Sequence, residues 1–280
     1  MTKVLVTGAS GFIGKNLIPE LRSRHFEVLE FTHASGDVAK KSSWSGFGRV
    51  DVLIHLAGST FVPKSWDDPT GFIENNLVGT LNALDYCREN NAKLVYLSSY
   101  LYGNPSVLPI PESASLIANN PYALSKKLAE EVCKFYSEYF GVKVAVFRPF
   151  NVYGEGQSEQ FLIPSLIKQV RAGNAISVKD LEPKRDYVYI DDVVEIIIKA
   201  INFNVNFEIF NIGSGVSYSV SELIDVIQKI MGSNLNVTSQ NERRPEEVMN
   251  TQADISKAKD ILNWEPLYSL EQGLKKLIDR

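Results

Sequence analysis

The first fourteen residues constrain this chain most: "KVLVT", Lys3 to Thr7, is an apolar run that ends in "GASGFIG", with Gly8, Gly11 and Gly14 three apart. Helical spacing follows from about Phe12 to Arg24, so the segment reads as strand, turn and helix. Glycines at such a turn let backbone N–H groups and the helix N-terminus approach a pyrophosphate, because no Cβ stands in the way. The spacing is GxxGxxG and not the GxGxxG of the usual dinucleotide fingerprint, so position carries as much of the argument as pattern. Gly8, Gly11, Phe12, Ile13 and Gly14 are the first candidate cofactor contacts.

Further apolar runs follow at Glu27 to Phe31, Val50 to Gly58, Lys93 to Ser99 and Val142 to Pro149, alternating with helix-like segments near Thr70 to Asn90 and Tyr122 to Phe140. Strands alternating with helices imply a parallel sheet covered on both faces. Beyond Asn151 the pattern loosens: helical stretches at Leu162 to Ala172, Asp191 to Asn202, Val220 to Met231 and Leu270 to Ile278 are separated by short strands. The expected fold is α/β, a Rossmann-like doubly wound parallel sheet with a smaller C-terminal α/β substrate-binding region. The expected division is residues 1–155 plus about 184–212 for the NAD(P)-binding domain, and about 156–183 and 213–280 for the substrate side.

A formal net charge of -4 supplies no basic field for nucleic acid or anionic lipid, so any anion site has to be local. The two cysteines, Cys87 and Cys133, lack CxxC spacing and read as reduced core residues; no metal site is expected. No apolar run approaches the length of a membrane span, and the N-terminus enters a strand with no signal-peptide pattern, which makes the cytoplasm the expected location.

About twenty residues after the glycines a carboxylate would normally bind the adenosine ribose. Thr32 and His33 stand there, with Glu30 two residues earlier and Lys40 and Lys41 nearby. With no carboxylate to repel a 2′-phosphate, the cofactor is NAD or NADP, the balance tilting slightly to NADP.

In "NNPYALSKKLAEE" Tyr122 precedes Lys126 by four residues, which places both on one face of a helix. In order, "TGASGFIG", "HLAG", "YLSS", "YALSK" and "FRPFNVYG" resemble an extended short-chain dehydrogenase/reductase of the nucleotide-sugar, NAD-dependent epimerase/dehydratase-like branch, over Thr7 to Trp264. The resemblance implies a nicotinamide cofactor, a nucleotide-sugar partner and a catalytic set of Ser98, Tyr122 and Lys126, with Ser99 as the serine if the register is off by one. It places Asp37 and Val38 at adenine, and Leu56, Ala57 and Gly58 along the cofactor. Positive charge from Lys126 and the nicotinamide would favour the Tyr122 phenolate. On the substrate side it implies Ser99, Tyr100, Asn151, Phe161, Leu162, Arg185 and Arg244, the two arginines as a diphosphate clamp. In the same loop Glu247 replaces an aspartate and Glu246 a glycine.

Absent residues narrow the reaction. The acid and glutamate that relatives with 4,6-dehydratase activity carry after the catalytic serine are Ser99 and Tyr100 here, and the cysteine and histidine of 3,5-epimerases are missing. Chemistry at C4 remains: a 4-keto-sugar reductase is expected, with a nucleotide-sugar 4-epimerase holding NAD tightly as the alternative and a non-catalytic NADP sensor behind both. By the same resemblance the chain is expected to form a homodimer through a bundle that includes the Tyr122 helix.

Overall fold

A computed structural model describes residues 1–173, 175–204, 206–242 and 247–279. In chain order it runs β1 (Lys3–Thr7), α1 (Phe12–Ser23), β2 (Glu27–Phe31), β3 (Val52–His55), α2 (Val62–Asp67), α3 (Pro69–Ile73), a π turn (Glu74–Val78), α4 (Gly79–Asn90), β4 (Lys93–Leu97), α5 (Pro121–Phe140) and β5 (Val144–Pro149). There follow β6 (Asn151–Tyr153), α6 (Leu162–Ala172), β7 (Ile176–Val178), β8 (Lys184–Tyr189), α7 (Ile190–Asn202), β9 (Phe207–Ile212), β10 (Ser217–Ser219), α8 (Val220–Met231), β11 (Val237–Ser239), α9 (Ser256–Leu262) and α10 (Leu270–Ile278).

The main sheet has the order β2-β1-β3-β4-β5-β9. Its pairs β1–β2, β1–β3, β3–β4 and β4–β5 are all parallel, which makes this the expected doubly wound, Rossmann-like α/β fold. The sequence explains the boundaries locally. Asn120 caps α5 by accepting the Ala123 N–H at 2.8 Å, Pro121 occupies the first turn where its missing N–H costs nothing, and Gly141 ends the helix at φ +69°. The helix read from Thr70 to Asn90 is broken into α3, a π turn and α4, a feature that periodicity does not reveal.

The chain divides into two compact units. The first comprises Met1–Gly103, Ser115–Arg148 and Val194–Phe210; the second comprises Asn104–Ala114, Pro149–Val193 and Asn211–Arg280. This differs from the expected division at residues 104–114, 149–155, 211–212 and 184–193, the last beginning with β8. There β8 pairs with β6 and antiparallel with β10 in a separate three-stranded sheet, so its hydrogen bonds tie it to the second unit. Within that unit the buried Asp186 of β8 accepts from Ser214 N, Ser214 Oγ, Gly215 N and Ala253 N at 2.6–3.0 Å. Four donors on one carboxylate repay much of the cost of burying it.

The first unit's core gathers Leu5, Phe31, Trp44, Leu53, Leu94, Tyr96, Ala129, Val144 and Val146. Cys87 and Cys133 lie in the same cluster as free, buried thiols, and burial raises both above the usual thiol range. Leu94 is completely buried on β4. Leu94→Ala is expected to lower the unfolding free energy by about 2–5 kcal/mol, read from urea denaturation; an unchanged midpoint would contradict this packing.

Candidate active site

The turn after β1 is as tight as its glycines imply. Gly8 has φ +67°, and a Cβ there would lie 2.8 Å from Ala57 N; one on Gly14 would meet the carbonyl oxygens of Gly8 and Ala9 at 2.5 Å. Side chains are excluded, so α1 starts against bare backbone. Gly11 is the N-cap and no side chain caps the helix, whose first turn holds no acidic residue. Phe12 and Ile13 form that first turn. This leaves oriented N–H groups and the positive end of a helix dipole where a pyrophosphate can bind, so the residues present fit a dinucleotide. Thr7 braces the turn: its carbonyl accepts from Leu56 N at 3.3 Å, and its hydroxyl accepts from Ala57 N at 3.2 Å and pairs with His55 Nδ1 at 2.7 Å. His55 is wholly buried, stacks on Tyr96 and is lowered by burial to about 3, which makes it neutral and structural.

Beyond β2, Thr32 and Ser35 close a small loop, with Ser35 N donating to Thr32 O at 2.9 Å and Thr32 N to Ser35 Oγ at 3.2 Å. His33 is exposed on it. Glu30, the nearest acid on the strand, is held by Arg22 at 2.6 Å, and Asp37 turns a carboxylate oxygen to its own loop at Ala39 N, 2.9 Å away. Val38 packs beside Gly79, and its carbonyl accepts from Asn82 and from the Trp44 indole.

On α5 the residues Tyr122, Lys126 and Glu130 recur every four positions and line one face. Lys126 Nζ donates to Leu97 O at 2.9 Å and lies 4.9 Å from the Tyr96 ring centre, and burial brings it down to about 8. Gly58 comes close to it: a Cβ there would stand 3.5 Å from Lys126 Nζ and 2.6 Å from Asn76 Oδ1. Asn76, in the π turn, donates to Ser59 O and Ser125 Oγ and accepts from Ser59 N, which fixes the strand β3 exit to α5.

The two serines part company here. Ser98 is buried, and its hydroxyl donates to Glu130 Oε1 at 2.5 Å. It is Ser99, half-buried, that acts on the Tyr122 phenol, with Tyr100 close enough to act on it electrostatically. Burial pushes that phenol up to about 12, Ser99 pulling the other way. Among the protein's own groups desolvation is the largest influence, and the phenol is protonated at neutral pH.

Of the substrate-side residues, Ser99 and Tyr100 lie in the first unit and Asn151, Phe161, Leu162 and Arg185 in the second. Asn151 donates to Asp186 O at 3.0 Å. Arg185 donates to Val248 O at 2.5 Å and to Lys184 O at 2.9 Å, and forms a close ion pair with Glu247. The half-buried Leu162 opens α6, and the exposed Phe161 is its N-cap. Arg244 and Glu246 lie outside the described residues. Sequence reading missed Asn76, Glu130 and Arg148. Glu130 was legible as the next step of the four-residue repeat, and Arg148 as a charge inside an otherwise apolar, buried strand.

A Rossmann sheet, a glycine turn under an uncapped helix and a half-buried tyrosine one helical turn from a buried lysine define a nucleotide-cofactor enzyme, and comparison with known proteins agrees. Residues 4–213 match the model of the NAD dependent epimerase/dehydratase family. The chain is 32% identical to a putative UDP-glucose 4-epimerase of Methanocaldococcus jannaschii, covering 99% of this chain and 97% of the relative. It is 30% identical to the GDP-6-deoxy-D-mannose reductase of Pseudomonas aeruginosa, covering 99% and 96%. The solved structure of RMD from Pseudomonas aeruginosa complexed with NADPH superimposes with a TM-score of 0.91 at 30% identity, covering 100% of this chain and 98% of that one. The chain belongs to the NAD-dependent epimerase/dehydratase family of extended short-chain dehydrogenases/reductases; it is an NAD(P)-dependent enzyme of the nucleotide-sugar epimerase and reductase group.

Because a Cβ on Gly14 meets two carbonyl oxygens, Gly14→Ala should push α1 off the turn. The expected result is NADPH and NADH affinity weakened at least about tenfold in fluorescence titration with the protein still folded, as about 1.4 kcal/mol of lost contact would give.

Proposed function

We propose that this enzyme reduces a 4-keto nucleotide-diphosphate sugar at C4 with NADPH. The observation that carries the reading is Tyr122 one helical turn from the buried Lys126, which α5 holds against the exit of β4 beside Ser99, with Tyr100 following Ser99 where an eliminating enzyme would place an acid. A neutral phenol is poised to give a proton, which is the direction that reduction of a ketone needs. When bound, NADPH supplies the hydride, two electrons and a proton, for the carbonyl carbon. The Tyr122 phenol delivers the remaining proton to the carbonyl oxygen, and the Ser99 hydroxyl donates a hydrogen bond to that same oxygen as negative charge develops on it. Lys126, while an ammonium, makes the resulting tyrosinate less costly. Ser99 thus takes the role that the motif count gave to Ser98.

The choice of NADPH is supported by the β2 loop. Glu30 is committed to Arg22 and Asp37 to its own turn, so Thr32, His33 and Ser35 form a loop with no uncommitted carboxylate to repel a 2′-phosphate. The complex of RMD with NADPH points the same way. In the second unit, Asn151, Phe161, Leu162, Arg185 and Arg244 are the residues we assign to the nucleotide sugar, Arg185 exchanging Glu247 for a diphosphate oxygen. A C4 epimerase that retains NAD⁺ is the second reading, favoured by the identity to the putative UDP-glucose 4-epimerase and by a serine, tyrosine and lysine set that serves both reactions.

The homodimer is supported by a stripe on α5. Leu124, Leu128, Phe135 and Tyr139, at 44%, 36%, 48% and 70% exposure, recur at helical spacing on the outer face, and Phe140 adjoins them. Phe135→Glu with Tyr139→Glu is expected to give a monomer by light scattering at micromolar concentration; an unchanged species would refute this interface.

The nucleotide content of the purified enzyme decides between the two reactions. Nucleotide-free protein that prefers NADPH and oxidises it with a 4-keto-6-deoxy nucleotide sugar is the expected result; retained NAD⁺ with C4 inversion of UDP-sugars would establish the epimerase instead. Tyr122→Phe should lower kcat about 10²–10⁴-fold, and Ser99→Ala about 10²–10³-fold, with NADPH affinity within about threefold of wild type.

A further inference from the structure

Strand β5 is buried along its whole length and yet contains Arg148. Its guanidinium is held charged by Glu130, which it meets from Nε at 3.1 Å on both carboxylate oxygens and from Nη2 at 2.6 Å. Each of these side chains is only about 5% exposed. A buried, bidentate pair of this kind is costly to isolate and cheap to keep, so it makes a stiff anchor.

Both ends of the segment carrying Ser99 hang on that anchor. At one end Ser98 Oγ donates to Glu130 Oε1 at 2.5 Å; at the other, Arg148 Nη1 donates to the Tyr102 hydroxyl at 3.0 Å and the guanidinium stacks over the Tyr102 ring at 5.3 Å. Ser99 and Tyr100 are the span between the two attachments. The inner face of α5 meets the same span step by step: Tyr122 at Ser99, Lys126 at Leu97 O and Glu130 at Ser98.

We propose that Glu130 is a positioning residue of the reaction centre: anchored on Arg148, its carboxylate fixes the segment from Ser98 to Tyr102 so that Ser99 faces the Tyr122 phenol, and it places a negative charge one helical turn from Lys126. The charge matters because burial works against the Lys126 ammonium, and Glu130 is the first of the groups that favour it. The titratable and charged groups around Lys126 are Tyr122, Glu130 and Cys133 on α5, His55 on β3, Tyr96 on β4 and Arg148 on β5; of these Glu130 raises it, the Cys133 thiol being kept neutral by burial. Removing the Glu130 charge therefore lowers the pH at which Lys126 loses its proton.

This inference rests on the Ser99, Tyr122 and Lys126 reading, and its test separates the two. Glu130→Gln keeps the size but removes the charge and turns one accepting oxygen into a donating amide. In protein shown to be folded by circular dichroism, kcat is expected to fall about 10–100-fold with KM for the nucleotide sugar within about threefold, and the alkaline limb of the kcat profile to move down by about one pH unit. Ser98→Ala should cost less than about tenfold and leave that limb in place, because the charge remains. A Glu130→Gln enzyme with the wild-type profile would overturn the proposal, as would a Ser98→Ala loss as large as that of Tyr122→Phe. If Glu130→Gln does not fold, the double variant Glu130→Leu/Arg148→Met, which leaves no unpaired charge, must show the same shift, and a wild-type limb there overturns it. Should wild type turn over no nucleotide sugar, the functional reading fails by itself. NMR titration of lysine-labelled protein, with the Lys126 signal identified by its loss in Lys126→Arg, then decides: a lower titration point in Glu130→Gln supports the inference and an unchanged one refutes it.

Discussion

The first unit depends on one constraint, a charge that β5 cannot leave unpaired. Arg148 sits in a strand with no solvent on either face, so it requires a buried partner, and α5 supplies Glu130. Once that pair forms, the rotation of α5 about its axis is decided. The residues four and eight positions earlier, Lys126 and Tyr122, must face the exit of β4, and the outward face of the helix is left to Leu124, Leu128, Phe135 and Tyr139. Tyr122 and Lys126 thus inherit their direction from a buried ion pair further along the same helix.

A second constraint comes from the strand exits. Thr7 at the end of β1 ties down the residues beyond β3 by backbone and side chain, and Asn76 ties Ser59 to α5 through Ser125. Gly8, Gly14 and Gly58 then lie where any Cβ would strike backbone or the Asn76 amide. The glycine turn lies at the ends of adjacent parallel strands, where doubly wound sheets place their ligands, and α5 brings Lys126 to the end of β4. Burial does chemical work in the same place: it raises the Tyr122 phenol and loosens the proton on Lys126, so two groups that titrate close together when free are driven apart.

Much of this was legible in the chain. The apolar runs marked β1 to β5, helical spacing marked α1 and α5 to α8, and the ordered motifs marked the family, because periodicity and glycine placement are local properties. The glycine turn was read residue by residue. The serines were read by count alone: counting back from Tyr102 and Gly103 selects Ser98, with Ser99 one place on, and a count cannot sense that Ser98 turns to Glu130. The assignment of β8 went astray for a related reason, since a short strand carries no mark of which sheet it will join. The break of the Thr70 to Asn90 helix into a π turn was likewise invisible, as one extra residue in a turn hardly disturbs the apolar pattern.

By itself the sequence determined that a parallel sheet with a phosphate-binding turn would form, and that Tyr122, Lys126 and Glu130 would share a helix face, because strand alternation and the four-residue repeat are written along the chain. Only the tertiary structure decided what that face meets. Leu97, Ser98 and Ser99 are adjacent in the chain, yet the first offers a carbonyl to a lysine, the second a hydroxyl to a carboxylate and the third acts on a phenol. The physical reason is that these pairings span up to 32 positions and are chosen by competition for buried partners, a competition settled only when β4, β5 and α5 are packed together.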